Sequence, residues 1–398
     1  MDDFAYLDWN ATAPLAAEAL AAMVASAAVA GANPSSVHGA GRRARRIVED
    51  LREELARILD ASPHDVVFTG SGTEANNLAV RSAFVDEPGV LVVSRLEHPS
   101  VTRVAEALER EGRARVAWVR VLPSGIASVE DIAAFVRAGG VRLVALQAVN
   151  QETGVAQPVP EVHALCMEHG VPLHVDAVQA MGRTTLPLLG TTRALAAHKF
   201  QGPKGIGVLV ASCGHTLHPV VVGGAQERGL RPGTLDPMAA AGMLAALRRL
   251  DACRQGFEGQ GARRDRLEAA IVDAFPGSTP NGDPARRLAH VSSVAMEGVE
   301  GAELVAALDV EGVGISSGSA CSAGTLEPSP VIEAMHDGGR ARRSVRLSLG
   351  PATSDHDVEH AVRAIRSVGE RLARRGHVPE TAGRALRPQD APSKGGIR

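Results

Sequence analysis

Three lysines stand among 39 arginines in this chain of 398 residues, and two of them lie five apart in His198-Lys199-Phe200-Gln201-Gly202-Pro203-Lys204. Arginine cannot be deprotonated in a protein and is a poor amine nucleophile. A lysine whose pKa is drawn down from its usual value of about 10.4 can form a Schiff base. The segment therefore points to an aldehyde cofactor held covalently, and pyridoxal phosphate is the usual one. Chance survival of two lysines in an arginine-rich chain is the alternative reading of the spacing alone. The third lysine, Lys394, lies in a polar tail.

Such a cofactor needs an acid at its pyridine nitrogen, a surface for its ring, an anion cradle for its phosphate and a cation for the substrate carboxylate. Asp176 ends the apolar run Pro172-Leu173-His174-Val175-Asp176, where the C-terminal end of a parallel strand opens on a ligand crevice. An ionised carboxylate there would keep the pyridine nitrogen protonated, and Gln179 could donate to the phenolic oxygen. A strand-end Asp that caps a helix is the alternative. Ser71-Gly72-Thr73 lies between a strand and a helix start, where exposed N–H groups and the positive helix end attract anions. A plain capped helix start is the alternative there. His98 follows the strand that ends near Ser94 and could stack on the ring and shuttle protons, though a lone His is often structural. Arg346, in Ser344-Val345-Arg346-Leu347-Ser348, could clamp a carboxylate with two parallel bonds, or be one surface Arg among 39.

Of the four cysteines, Cys321 stands apart in the Ser- and Gly-rich Ile315-Ser316-Ser317-Gly318-Ser319-Ala320-Cys321-Ser322-Ala323-Gly324. That composition predicts an exposed loop, which makes Cys321 the candidate nucleophile. Cys166, Cys213 and Cys253 read as small buried or helix-surface residues. No CxxC pair occurs, and His163, Cys166 and His169 are awkwardly spaced for one ion, so no metal site is expected.

The elements that must position these groups alternate between strand and helix. Short apolar runs at Val90–Val93, Val116–Val121, Leu143–Leu146 and Pro172–Asp176 are interleaved with helical stretches at Ser100–Arg110, Val129–Ala138 and Val159–His169. This predicts an α/β fold, a mixed and mostly parallel sheet flanked by helices. Ile206–Val210 and Pro219–Val222 read as two further strands, and Pro237–Cys253 as one long helix. The glycine-rich Gly256 to Gly261 suggests a boundary before a smaller α+β unit. The expected division is an N-terminal segment 1–14 packed with the small domain, a large cofactor-binding domain 15–257, a small C-terminal domain 258–375 with the Cys321 loop, and a disordered tail 376–398. A net charge of -3 with 3% aromatic residues argues against nucleic acid as a direct partner. No segment reads as a membrane span, and with no export signal the cytoplasm is the expected compartment.

Taken in order, the motifs resemble the cysteine desulfurases of the NifS/IscS type, in the class V aminotransferase group of fold-type I pyridoxal phosphate enzymes. The resemblance runs from about Tyr6 to about Gly350. It is carried by Tyr6-Leu7-Asp8 with Asn10-Ala11-Thr12, by Asn33-Pro34-Ser35-Ser36 with His38, and by Gly72-Thr73-Glu74-Ala75-Asn76-Asn77. Glu97-His98, Asn150 with Glu152-Thr153-Gly154, and His174-Val175-Asp176-Ala177-Val178-Gln179 follow. His198-Lys199, Gln226-Glu227-Arg228-Gly229-Leu230-Arg231-Pro232-Gly233-Thr234 and Ser316 to Cys321 complete it. The resemblance implies that Lys199 carries the Schiff base, His98 stacks on the ring, Asp176 meets the pyridine nitrogen and Gln179 the phenolic oxygen. It puts Gly72, Thr73 and His198 at the phosphate, joined by Thr234 from the partner subunit of a homodimer. It puts Asn150 and Arg346 on the carboxylate of L-cysteine, with Asn33 nearby. Cys321 takes the sulfur as a persulfide and hands it to an acceptor protein, in iron–sulfur cluster assembly or another thiolation route. Selenocysteine lysis, another class V activity, or a sulfur-relay scaffold without turnover are the alternatives. Two departures stand out. Ala196 occupies a position that is usually Ser and contacts the phosphate. Ala13 replaces a second Thr beside Trp9, which suggests an altered substrate-side wall.

Overall fold

The computed structural model describes residues 4–212, 214–317 and 328–374. At its centre is a seven-stranded sheet in the order Val66–Thr69, Gly207–Ala211, Thr192–Ala196, Leu173–Asp176, Val141–Gln147, Gly89–Ser94, Ala114–Val119. Gly207–Ala211 runs antiparallel to both neighbours, and every other pairing is parallel. The inner strands are near-continuous apolar runs because helices cover both faces. Gly89–Ser94 and Thr192–Ala196 show the pattern, with Leu91, Val92, Val93, Ala194 and Leu195 all buried.

The helices follow from apolar stripes. In Gly39–Ile58 the spacing of Val48, Leu51 and Leu55 turns one face onto the sheet. Ala17–Ala30 lies along Pro237–Leu247 at short range: a Cβ on Gly242 would sit 2.7 Å from Met23 Cγ. A second core gathers Leu267, Phe275, Val294, Leu347 and Ile365 around the antiparallel strands Ser344–Ser348, Val291–Ala295 and Thr279–Pro280. Ala5 and Leu7 belong to this second core, and Ala5–Tyr6 pairs in parallel with Val313–Gly314.

Two expectations need correction. Pro219–Val222 forms no strand. Its valines are exposed, Val222 at 92%, so the apolar run finds no pairing partner among the described residues. The helix expected over Pro237–Cys253 is two, Pro237–Leu247 and Leu250–Glu258, because Arg249 N–H turns back to Ala246 O and ends the first ladder. Helix Leu250–Glu258 also runs through Gly256, whose missing side chain admits Pro351; a Cβ there would lie 2.6 Å from Pro351 Cβ. Among the described residues no helix is long and apolar enough to cross a membrane.

Candidate active site

The strands Val66–Thr69, Gly89–Ser94, Val141–Gln147, Leu173–Asp176 and Thr192–Ala196 share one direction, so their C-terminal ends open on one edge of the sheet. A cavity of about 300 Å³ lies there, and Gly72, Thr73, His98, Asp176, Gln179, His198, Lys199 and Arg346 all line it. Seven of them stand at or just after the ends of four strands of this sheet, which is how an α/β sheet gathers distant residues, and Arg346 comes from strand Ser344–Ser348 of the second sheet.

Lys199 closes the short 3-10 turn Ala197–Lys199, and its Nζ donates to the carbonyls of Asn10 at 2.6 Å and Ala11 at 2.8 Å. Lys204 sits in an exposed turn outside the cavity lining. Asp176 Oδ1 accepts from Val178 N at 3.0 Å, and Oδ2 accepts from Asn76 Nδ2 at 2.7 Å. Ser71 caps helix Gly72–Ser82 by accepting from Glu74 N, and Gly72 is pressed against the site: a Cβ there would lie 2.7 Å from Val178 Cγ2. His198 lies beside Thr12 Oγ1, and burial with the neighbouring Lys199, Arg183 and Lys204 charges takes its pKa to about 3. It is therefore a neutral donor at physiological pH. His98 is likewise held below the ordinary histidine value, chiefly by burial.

Arg346 is 2% exposed, donates to Asp8 Oδ1 at 2.6 Å and to Gln151 O at 3.1 Å, and has a buried Nε with no partner among the described residues. Its backbone pairs with Ser316 in both directions. Ser329 donates to the buried carboxylate of Glu152 at 2.5 Å and caps helix Pro330–Met335. The two stems of the segment that bears Cys321 are thus anchored beside Arg346 and Glu152; Cys321 itself lies outside the described residues, as do Cys213 and the tail. Cys166 and Cys253 are buried, and burial pushes both thiols up, Cys166 to about 11, so neither supplies thiolate.

Three expected residues are not brought to the cavity within one chain. Asn150 is fully buried, and its Oδ1 accepts from Glu152 N, Thr153 N and Thr153 Oγ1 while Nδ2 donates to Leu96 O, so the side chain shapes a turn and reaches no substrate here. Asn33 is exposed and accepts from Ser35 N. Thr234 lines a separate small cavity with Ile206 and Arg231. The altered wall expected at Trp9 and Ala13 is also corrected: Trp9 packs edge-on against Phe257 in the core, Ala13 N donates to His198 O, and the cavity is lined by Asn10 and Ala11 instead.

Arg183, four residues beyond Gln179 in the turn that follows strand Leu173–Asp176, has no role in the sequence reading. It is 1% exposed, and all five of its N–H donors are satisfied by four uncharged oxygens: Lys199 O, Trp9 O, Asn10 Oδ1 and Gln179 Oε1. By engaging Gln179 Oε1 it leaves the Gln179 amide nitrogen as the donor, now directed to Asn10 O. Burial takes Arg183 down to about 10, still charged at neutral pH.

Behind Asp176, His174 is fully buried and burial takes its pKa to about 4. Between pH 6.5 and 4 the unfolded chain binds the His174 proton and the folded chain does not, so this group removes stability as the pH falls, by up to about 3 kcal/mol. Glu97, also buried, is held well above the carboxylate range by burial and acts in the opposite sense. The His174 share is read as the urea-midpoint gap between wild type and His174→Gln. That gap should narrow from about pH 7 to about pH 4.5, and a constant gap would contradict a neutral His174.

Comparison with known proteins agrees with this geometry. The profile of the class-V aminotransferase family matches residues 5–360. The IscS-like cysteine desulfurase of Mycobacterium tuberculosis is 36% identical over 91% of this chain and 95% of its own length. The cysteine desulfurase NifS of Azotobacter vinelandii is 34% identical over 90% of this chain and 91% of its own. Among solved structures, a NifS-like protein superposes with a TM-score of 0.83 at 27% identity, covering 93% of this chain and 100% of that one. SspA in complex with cysteine gives 0.76 at 29% identity, over 88% and 99%. With an open α/β sheet, a lysine, an aspartate and an arginine round one cavity and relatives of this closeness, the chain belongs to the class-V aminotransferase family, in its cysteine desulfurase group.

Proposed function

We propose that the protein is a pyridoxal phosphate-dependent cysteine desulfurase that converts L-cysteine to L-alanine and keeps the sulfur as a persulfide on Cys321. The observation that carries this reading is the convergence of Lys199, Asp176, His98, Gln179 and Arg346 on one cavity, with Ser316 paired to Arg346 so that the Cys321 segment leaves beside the carboxylate clamp. The residues fit the cofactor. Gly72 admits no side chain at the start of its helix, where backbone N–H groups would meet a phosphate, and the Nε of Arg346, unpartnered among the described residues, is a donor suited to a substrate carboxylate.

When bound, the pyridoxal ring supplies an electron sink for a carbanion at the substrate α-carbon. With the cofactor bound, Lys199 would be the residue that holds its aldehyde carbon, and the free amine of Lys199 would remove and return the substrate α-proton. Asp176, fixed from both sides by Val178 and Asn76, holds the proton on the pyridine nitrogen. Arg346 binds the substrate carboxylate in competition with Asp8. The Cys321 thiolate attacks the substrate sulfur, the carbon–sulfur bond breaks, and a proton is delivered to the β-carbon. The sum is L-cysteine plus thiol giving L-alanine plus persulfide, with no external oxidant.

A homodimer is part of this reading. Leu20, Val24, Val37 and Val220–Val222 leave an apolar surface to water in a single chain, and Thr234 needs a second subunit to meet a phosphate. We further propose that residues 15–257 form the cofactor unit and 258–375 the unit that presents Cys321, that the acceptor is another protein, and that the work is done in the cytoplasm. The direct test supplies cofactor-loaded protein with L-cysteine and a thiol reductant and measures alanine and sulfide. Equal yields support a desulfurase; no alanine overturns the reading.

Ala196 lines the cavity beside Gly72, with its Cβ 3.4 Å from where a Gly72 Cβ would stand. Ala196→Ser should restore a charge-assisted bond to the phosphate, tightening cofactor binding by about 1–3 kcal/mol, or roughly 5- to 150-fold in Kd. Equilibrium dialysis checks this, and an unchanged Kd would show that another donor already fills that place.

A further inference from the structure

Arg183 and Arg346 are both buried beside the site, and they are answered differently. Arg346 meets a carboxylate, Asp8 Oδ1, at 2.6 Å. Arg183 gives its hydrogen bonds to uncharged oxygens alone, those of Lys199 O, Trp9 O, Asn10 Oδ1 and Gln179 Oε1. It does not line the cavity, and no step of the reaction proposed above uses it.

Asn10 carries the connection to Lys199. Its Oδ1 accepts from Arg183 Nη1 at 2.6 Å, and its main-chain O accepts from Lys199 Nζ at 2.6 Å. The guanidinium and the amine thus stand on the two oxygens of one buried residue, and Arg183 Nε and Nη2 also donate to Lys199 O. The carbonyls of Asn10 and Ala11 accept hydrogens from the ammonium and so favour its charged form. A fixed positive charge beside them opposes that, and in a buried setting it is screened far less by salt than at a surface. The histidines of this cluster add no charge. Burial holds His198 and His290 low, with Arg183 contributing to both, and His290 Nε2 lies 3.2 Å from Asn10 Oδ1. On the cavity wall, burial favours the neutral forms of His98, Glu97 and Glu152. The Asp176 carboxylate, on the same wall, acts in the sense opposite to Arg183.

We propose that Arg183 is a positioning residue that weakens the basicity of Lys199: its charge, standing one residue away from the amine, favours the uncharged form, which attacks an aldehyde and accepts a proton. An ammonium has no lone pair and does neither. The two carbonyls keep the amine in place, and the guanidinium offsets the cost they add to its deprotonation. The inference deepens the reading above and rests on its use of Lys199. The basicity itself is a property of the protein and is measured without turnover.

The test is a pH titration by NMR of the full-length protein, freed of bound aldehyde and labelled with ¹³C at the lysine ε-carbon. A chain with three lysines gives three such signals, and the one lost in Lys199→Ala is Lys199. Its midpoint in Arg183→Met should lie about one pH unit above that of the wild type, while Lys204, in its exposed turn, should not move. A midpoint that stays in place, or falls, overturns the proposal. A fall is what a purely structural role predicts, since an Asn10 loosened by the loss of Arg183 would withdraw a carbonyl from the ammonium. Arg183→Gln removes the charge, keeps an amide donor and gives the same reading if Arg183→Met does not fold; an unmoved Lys199 midpoint there also counts against the proposal. A protein that shows the rise yet makes no alanine from L-cysteine would end the desulfurase reading and leave this one standing. Alanine formation with an unmoved midpoint would do the reverse.

Discussion

Lys199→Ala should yield a folded protein that holds pyridoxal phosphate only reversibly and releases alanine from L-cysteine about 10²–10⁴-fold more slowly, the usual loss when a general base is removed. The side chain is half-buried, and its ammonium donates to the uncharged carbonyls of Asn10 and Ala11. Borohydride reduction followed by mass analysis reads the covalent step directly. Wild type should retain the cofactor mass on the peptide containing Lys199, and the variant should retain none. Retention in the variant would move the attachment to Lys204, five residues on, and would undo the assignment.

The second large effect belongs to Cys321→Ala. Cofactor absorption and borohydride trapping should be unchanged, while sulfide release falls on the order of 10³-fold or more, because among the described residues no cysteine lines the cavity to take the sulfur. Cys166 and Cys253 do not substitute, being buried with their thiols raised. Sulfide at the wild-type rate would remove Cys321 from the mechanism. Transamination in its place would leave the chemistry of the cofactor intact and change the reaction.

The residues legible in the sequence are those that stand at the ends of strands. Asp176 ends one short apolar run and His98 follows another, and in an open α/β sheet that position directs a side chain to the crevice, whereas Lys199 is legible as one of only three lysines. Asn76 and Arg183 could not be read this way. A polar residue on a helix is ordinary until its partners are known, and here those partners, Asp176 and Lys199, are 100 and 16 positions away. An inward-facing Asn three residues after Thr73 was the available signal for the first. For the second the 39 arginines hide the one that matters. The strand Thr192–Ala196 is similarly obscure, since Thr-Arg-Ala-Leu-Ala carries little β-branching; it is a strand because Leu173–Asp176 and Gly207–Ala211 flank it. Pro219–Val222 is the reverse case, a β-rich run with nothing to pair with. Asn33 and Thr234 do not line the cavity within this chain, and neither residue type nor spacing signals that placement.

Arg183 has a wider consequence. Its donors all end on uncharged oxygens, so its unit of charge is solvated by the protein and never cancelled. Arg183 lies behind the cavity, against Lys199 O and Gln179, and adds a positive charge there that no carboxylate in its own hydrogen-bond set cancels, which favours an anion in the site over a cation. A phosphate-bearing cofactor and a carboxylate-bearing substrate are both drawn down the same field, and their arrival should slow as salt screens it. Holding that charge uncompensated costs the empty fold stability, and an anion seated there gives it back, so the same guanidinium links the melting temperature of the protein to the filling of its site.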